Sequence, residues 1–299
     1  MYPTEVILEE QGLRDGLQTE TVVIPTEKKV EIVHRLMKAG VKRIQIGSFV
    51  NAKLVPQMAD TAAVFAAVEK RPDVLLNALV LNLKGVERAI EAGMTHVAAS
   101  ISASDTHSRR NANKSLQEAM EEFEKMVRTA KAAGLRVRGG LQCAFGCRYE
   151  GEIPAQRVID LSKRHLDLGI DEIALADSTG MGDPRQIEDL VGKILEMAGN
   201  VPVILHLHDT EGKGLANLLA AMRLGVRHFD TAFGGLGGCP FIRGATGNIA
   251  TEDTIHMLEE MGIRTGIHLG DIIAIAKEME TLLGKKLPGK IKDVVPQMN

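Results

Sequence analysis

Tryptophan is absent from the chain, aromatic residues make up 3% of it, and the formal charge is only −3. Nucleic-acid binding normally draws on a basic field and on stacking platforms; neither is supplied, so no nucleic-acid partner is expected. No uncharged apolar run approaches the roughly 18 residues of a membrane-spanning helix, so no membrane partner is expected either. The opening MYPTEVILEE enters a strand-like run almost at once, without the basic, apolar and small-residue segments of a secretion signal. Three cysteines, an odd number in a chain of 299 residues, make no disulfide framework. A reduced, cytoplasmic protein is the expectation.

The chain does contain the balance of a soluble globular protein with a sizeable core, 44% apolar and 25% charged. One pattern recurs: a helix-period segment ends at a glycine and a short β-rich run follows. It is seen in LMKAGVKRIQI, AIEAGMTHVAAS, AKAAGLRVRGG, LDLGIDEIALA and MRLGVRHFDTA. Gly40, Gly93, Gly134, Gly169 and Gly225 are read as helix C′ residues, where a left-handed backbone is cheap only without a Cβ. Adding EVILEE, VLLNALVLN and VPVILHLH brings the count to eight strands separated by helix-length segments. Such alternation implies parallel strands with right-handed crossovers, and eight of them favour an α/β fold of the closed (β/α)8 TIM-barrel type. An open doubly wound sheet is the alternative, but no G-x-G-x-x-G fingerprint follows the first strand. The chain is read as one domain over 1–299, with the barrel at about 4–263 and a C-terminal helical extension at about 264–299.

In such a barrel the chemistry sits at the C-terminal ends of the strands and in the loops after them. The seventh strand ends ILHLHDT. Residues two apart on a strand share a side and stand roughly 6.5–7 Å apart, so His206 and His208 can turn toward one metal. After the first strand, EEQGLRDGLQTE gathers Glu10, Arg14, Asp15 and Gln18. Asp15 could complete an oxygen and imidazole site for Mg2+ or Mn2+, and Arg14 offers a fork of donors to an oxyanion. A surface turn with solvated charges is the competing reading of RDG. Past the eighth strand, GGLGGCPFIRGATGNIATED offers Asn248 as an amide oxygen ligand and Cys239 as the thiol of a glycine-rich loop. Cys143 and Cys147, spaced C-x3-C without a second pair, are a poor zinc site; Cys143 is read as core and Cys147 is unplaced. Asp177, closing the sixth strand, either hydrogen-bonds a metal-bound histidine or the ligand, or caps the next helix, a role open also to Ser178, Thr179 and Asp183.

With RDGLQTE, SFVNAKLVPQMAD, CAFGCRYEG, LHLHDTEGKGLAN and GGLGGCPFIRGATGNIATED in the same order over nearly the whole chain, the sequence resembles the 3-hydroxy-3-methylglutaryl-CoA lyase family. The resemblance implies a metal-dependent carbon–carbon lyase that takes an acyl-CoA thioester to acetyl-CoA and acetoacetate. By motif position it implies Mg2+ or Mn2+ on Asp15, His206, His208 and Asn248, a catalytic arginine at Arg14 and a loop cysteine at Cys239. Supporting acidic roles fall to Glu10, Asp177 and Glu252. Substrate contacts are expected from Arg14, Gln18, Gln45 and Ser48, and CoA contacts from Asn82, Lys84, Arg110 and Asn111. Protonation of the enolate falls to Cys239 or His206, and there is room for a homodimer.

One departure stands out. Where the family usually has a glutamate at the end of the second strand, IQIGSFV places Gln45, an amide that keeps size and hydrogen bonding but not charge. Arg109, Arg110 and Arg243 near the mouth also leave room for a related hydroxyacyl-CoA. Two further readings compete with the lyase: a condensing synthase or aldolase using a 2-oxo acid on the same barrel, and a catalytically silent barrel that binds acyl-CoA.

Overall fold

Strands that face helices on one side and each other on the other must be apolar on both faces. The runs VILEE, RIQI, LLNALV and VILHL meet that demand except at a few polar positions. The computed structural model describes residues 1–238 and 247–294 of the chain. Its strands are β1 (Ile7–Glu10), β2 (Arg43–Ser48), β3 (Leu75–Val80), β4 (His96–Ser102), β5 (Arg136–Gln142), β6 (Glu172–Asp177), β7 (Val203–Leu207) and β8 (His228–Thr231). They are parallel and hydrogen-bonded in chain order. β8 returns to β1 in the register Ile7 to His228 through Glu10 to Thr231, which closes the barrel. The expected TIM barrel is the observed fold.

The helices are α1 (Thr26–Lys38), α2 (Thr61–Ala67), α3 (Leu83–Glu91), α4 (Asp105–Ala112), α5 (Leu116–Ala132), α6 (Ala155–Asp167), α7 (Pro184–Ala198), α8 (Gly214–Arg223), α9 (Thr251–Glu260), α10 (Leu269–Leu283) and α11 (Ile291–Val294). The helices that alternate with the strands lay an apolar stripe on the barrel, while α11 packs on α9 and α10. On α1 the stripe is Ile32, Val33, Leu36 and Met37, all buried, at about 1.5–3 kcal/mol for each such side chain. The five glycines expected to end helices all have positive φ, from 74° at Gly169 to 100° at Gly40.

Side chains cap the N-termini of α3, α4, α5 and α7. Asp183 caps α7 by accepting from the Gln186 N–H, so Asp177 is not needed for that task. Ser115 and Glu118 form a reciprocal capping box at the start of α5. The C-terminal stretch holds α10 and, beyond a break at Pro288–Gly289, the short α11. The Gly289 N–H donates to the Gly234 carbonyl at 2.9 Å, tying this stretch to the turn after β8. Among the described residues no helix is long and apolar enough to cross a membrane.

Replacing Ser115 with alanine removes one half of the capping box, and a loss of about 1 kcal/mol in stability is expected. Urea denaturation measures it, and divalent-metal affinity should not change.

Candidate active site

His206 points inward from β7, and His208 follows just past the strand end, where it forms an isolated antiparallel bridge with Asn248. The two Nε2 atoms are 3.0 Å apart, and Asp15 Oδ2 lies 3.3 Å from that of His208 and 3.8 Å from that of His206. Among the described residues these three form a group whose ligand atoms all lie within 4.8 Å of one another. Asp15 reaches them from a one-turn π-helix, Gly12–Gly16, in which all residues are buried, so the RDG triplet is not a solvated surface turn.

The surroundings fit a divalent cation. Asn248 Nδ2 donates to Asp15 Oδ2 at 2.8 Å and to the Leu236 carbonyl at 2.9 Å, while its Oδ1 is buried with no partner among the described residues. Gly237, at φ 110°, keeps this corner open: a Cβ there would stand 2.7 Å from Asn248 Nδ2 and 2.9 Å from Asp15 Oδ2. Burial works to raise the Asp15 pKa, but the Arg14 charge and the His208 hydrogen bond hold the carboxyl well below its usual range. Burial lowers His206, against the pull of Asp230 and Asp15, which favours the neutral imidazole a metal needs. Carboxylate, imidazole and amide oxygen without thiolate is a donor set for a hard or borderline ion.

A polar layer inside the barrel holds these groups. Arg14 donates from Nε to Gln45 Oε1, from one terminal nitrogen to Asp15 Oδ1 and from the other to Gln11 Oε1 at 3.1 Å. Three of its five N–H bonds are thus engaged. Gln45 Nε2 donates to Asn77 Oδ1 at 2.7 Å, and Asn77 Nδ2 to Glu9 Oε1 at 2.8 Å. The same Glu9 oxygen accepts from Gln11 Nε2 at 3.0 Å and from Arg138 at 2.9 Å, and Glu9 Oε2 accepts from Arg43 Nε at 2.8 Å. Arg138 grips Asp230 with two hydrogen bonds of 3.0 and 2.5 Å, and Asp230 Oδ2 lies 3.0 Å from His206 Nδ1. Burial opposes ionisation of Asp230, but the Arg138 charge and His206 keep its pKa well below normal.

Above this layer opens a cavity of about 380 Å³. Arg14, Asp15, Gln18, Gln45, His206 and His208 line its polar side, Val50, Leu54, Val55 and Leu79 an apolar wall, and Asn111 its rim. Gln18 Nε2 also steadies Asp15 Oδ1 at 2.8 Å. Four other expected contact residues lie off this wall. Ser48 is buried, with its backbone held by the Thr61 hydroxyl. Asn82 caps α3 by accepting from the Gly85 N–H, Lys84 is exposed on the first turn of that helix, and the Arg110 guanidinium lies 4.2 Å over the Tyr149 ring. Arg109 pairs with Asp105 on the surface of α4.

The three supporting carboxyls brace the backbone. Glu10 accepts from the N–H groups of Gly12 and Phe233 and from the Thr251 hydroxyl, and Glu252 from the Gly234 N–H. Asp177 accepts from the Met181 and Gly182 N–H groups, and the carboxylate that orients a histidine is Asp230 instead. Cys143 and Cys147 are both buried, and the hydrogen bond from Cys143 leads those that draw the Cys147 thiol down to about 5. Cys239 and Arg243 lie outside the described residues.

The family model described as HMGL-like matches residues 5–279. The chain belongs to the HMGL-like family. Among members of that family, hydroxymethylglutaryl-CoA lyase YngG of Bacillus subtilis is 39% identical over 289 residues, 97% of each chain. The cytoplasmic 3-hydroxy-3-methylglutaryl-CoA lyase of Rattus norvegicus is 41% identical over 271 residues, 91% of this chain and 79% of its own. The solved structure of an HMG-CoA lyase from Acinetobacter baumannii in complex with coenzyme A and 3-methylmalate is similar at a TM-score of 0.94 and 38% identity, covering 99% of this chain and 97% of that one.

Glu9, Asn77, Arg138 and Asp230 of this HMGL-like barrel escaped the reading of the sequence, which looked only at strand ends and loops. Their signal is present nonetheless: each is a charged or amide side chain in the middle of a strand that ought to be apolar, in VILEE, LLNALV, RVRGG and HFDT.

Burial raises Glu10 to about 7 and Glu252 to about 8. Both therefore bind protons more tightly folded than unfolded, and their contribution to stability is full below about 4.5 and is lost as pH rises toward 8. Glu252→Gln keeps an acceptor for Gly234 and cannot ionise. Its melting temperature is expected to fall less than that of the parent between mildly acidic and mildly alkaline buffers, as calorimetry would record. An equal fall in both would remove Glu252 as a source of the pH dependence.

Proposed function

We propose that this HMGL-like protein cleaves 3-hydroxy-3-methylglutaryl-CoA, or a close 3-hydroxyacyl-CoA, to acetyl-CoA and acetoacetate with Mg2+ or Mn2+. The observation that carries the reading is the convergence of Asp15, His206 and His208, with an Asn248 oxygen that has no partner among the described residues, beside Arg14 at the floor of one cavity. Identity near 40% to proteins named as lyases, over nearly the whole chain, favours cleavage over condensation or a silent barrel. The coenzyme A complex of a relative supports an acyl-CoA thioester as the substrate class. Buried thiols at Cys143 and Cys147, hydrogen-bonded rather than disulfide-linked, support a reducing, cytoplasmic setting.

Breaking the bond between C2 and C3 of such a substrate requires loss of the hydroxyl proton and stabilisation of a departing thioester enolate. A divalent ion on Asp15, His206, His208 and Asn248 would polarise the hydroxyl and a carboxylate oxygen, worth several kcal/mol. Asp15, with its pKa held far down, is ionised and is a ligand rather than the base. Arg14 has two N–H bonds beyond those given to Gln45, Asp15 and Gln11, and they are available to the developing enolate oxygen. Because those three partners fix the guanidinium beforehand, no reorganisation is required as the charge develops. The apolar wall of Val50, Leu54, Val55 and Leu79 keeps water from the enolate; His206, neutral and with Nδ1 held by Asp230, has no proton to give on its Nε2 side, so protonation falls to Cys239.

Metal-loaded protein incubated with 3-hydroxy-3-methylglutaryl-CoA and a thiol reductant is expected to release acetoacetate; absence of product sinks this substrate. Arg14→Gln should lower kcat by about 10²–10³. Cys239→Ser should depress turnover far more than metal affinity, and equal losses would make the cysteine loop a structural element only.

A further inference from the structure

Gln45 stands where the resembling family usually places a glutamate, so the Arg14 guanidinium, ion-paired with Asp15, meets an uncharged amide on its Nε side, and the question is what orients that amide. The hydrogen bonds around Glu9 answer it. A carboxylate can only accept. Because Glu9 Oε1 accepts from Asn77 Nδ2, the Asn77 amide is oriented with its Oδ1 toward Gln45. Gln45 must then meet that oxygen with its Nε2, which turns its own Oε1 to Arg14 Nε. The same logic runs through Gln11: its Nε2 is committed to Glu9, so its Oε1 faces the Arg14 terminal nitrogen. Two amide relays therefore start at one carboxylate and both deliver an oxygen, never an N–H, to the arginine. Neither Glu9 nor Asn77 lines the cavity.

We infer that Glu9 is a positioning residue for Arg14, supplying from β1, through the Asn77–Gln45 and Gln11 relays, the orienting charge that a carboxylate at position 45 would supply directly. Glu9 also anchors Arg138, which holds the Asp230 carboxylate against His206 Nδ1. Gln45 and Asn77 are then a matched pair. A glutamate at 45 alone could accept from Arg14 but could not donate to Asn77 Oδ1, and rotating the Asn77 amide would set that oxygen against Glu9.

The decisive experiment moves the orienting carboxylate to position 45, with Glu9→Gln, Asn77→Leu and the Asn77→Leu/Gln45→Glu double variant compared in metal-loaded, full-length protein. In the double variant Glu9 keeps Gln11, Arg43 and Arg138, the leucine removes the amide oxygen that a carboxylate at 45 would oppose, and that carboxylate accepts from Arg14 directly. Two readouts are taken: the hydrogen-exchange protection of the Arg14 Nε–H by NMR, and kcat. The inference uses the lyase reading only for the second, so an inert parent protein would defeat that reading while the NMR signal still tested this one. Each single variant is expected to lose Nε–H protection and at least about tenfold in kcat. The double variant is expected to regain protection and to return to within about threefold of the parent in kcat, so that the second substitution rescues the first.

Asn77→Leu, which cuts one relay without removing a charge, keeps the test alive should Glu9→Gln fail to fold. It should lower kcat while leaving Mn2+ affinity by calorimetry unchanged. A double variant no better than Asn77→Leu, or an Asn77→Leu variant whose Arg14 Nε–H stays protected and whose kcat stays normal, would overturn the inference.

Discussion

Charge placed inside a closed barrel has almost no water to solvate it, so every buried ion must find its partners in the protein. This barrel carries Glu9, Asp15, Glu172 and Asp230 against Arg14, Arg43 and Arg138, and each is paired: Arg43 bridges Glu9 and Glu172, Arg138 bridges Glu9 and Asp230, and Arg14 meets Asp15. The set holds one more negative charge than positive, and the imidazole of His206 is kept neutral by burial. A divalent cation at Asp15, His206 and His208 is the addition such a set accommodates. The same pairing that makes the charges tolerable also removes their freedom to move, and rigidity of this kind is what a preorganised site requires.

The strand order turns this constraint into a site. Sequential pairing brings β7 beside β8, so His206 and Asp230 are neighbours in register, and β8 beside β1, so Asp230 faces Glu9. β2 and β3 set Gln45 against Asn77 in the same way. The Gln45–Asn77 link is thus a cross-strand pair, made by the register that also buries the apolar core. At the end of β1 the chain tightens into the turn at Gly12–Gly16, and Glu10 fastens that turn to Phe233 and Thr251. Site and scaffold share hydrogen bonds, and the turn that carries Asp15 is coupled to the backbone after β8.

The groups that would meet a metal were legible in the sequence because each lies where barrel chemistry lies, at a strand end or in the loop beyond it. Asp15, His206, His208 and Asn248 converge as expected, and Arg14, Gln18, Gln45 and Asn111 border the cavity. The contacts expected of Asn82, Lys84 and Arg110 rested on residue type in loops, and local roles claim two of them: a helix cap for Asn82 and an aromatic face for Arg110. Asp177 was legible as a carboxyl at a strand end, but which N–H groups it serves depends on the path of the loop at Met181 and Gly182.

By itself the sequence determined the alternation of strand and helix, the glycines that end the helices and the ligand-bearing motifs, because these depend on periodicity, on backbone conformation and on residues near one another in the chain. Only the tertiary structure decided what holds those motifs in place. Glu9 and Asn77 are 68 residues apart, and Glu9 and Arg138 129. No local pattern pairs them; closing the barrel does, because it sets their strands in one register and leaves each buried polar group no partner but the others.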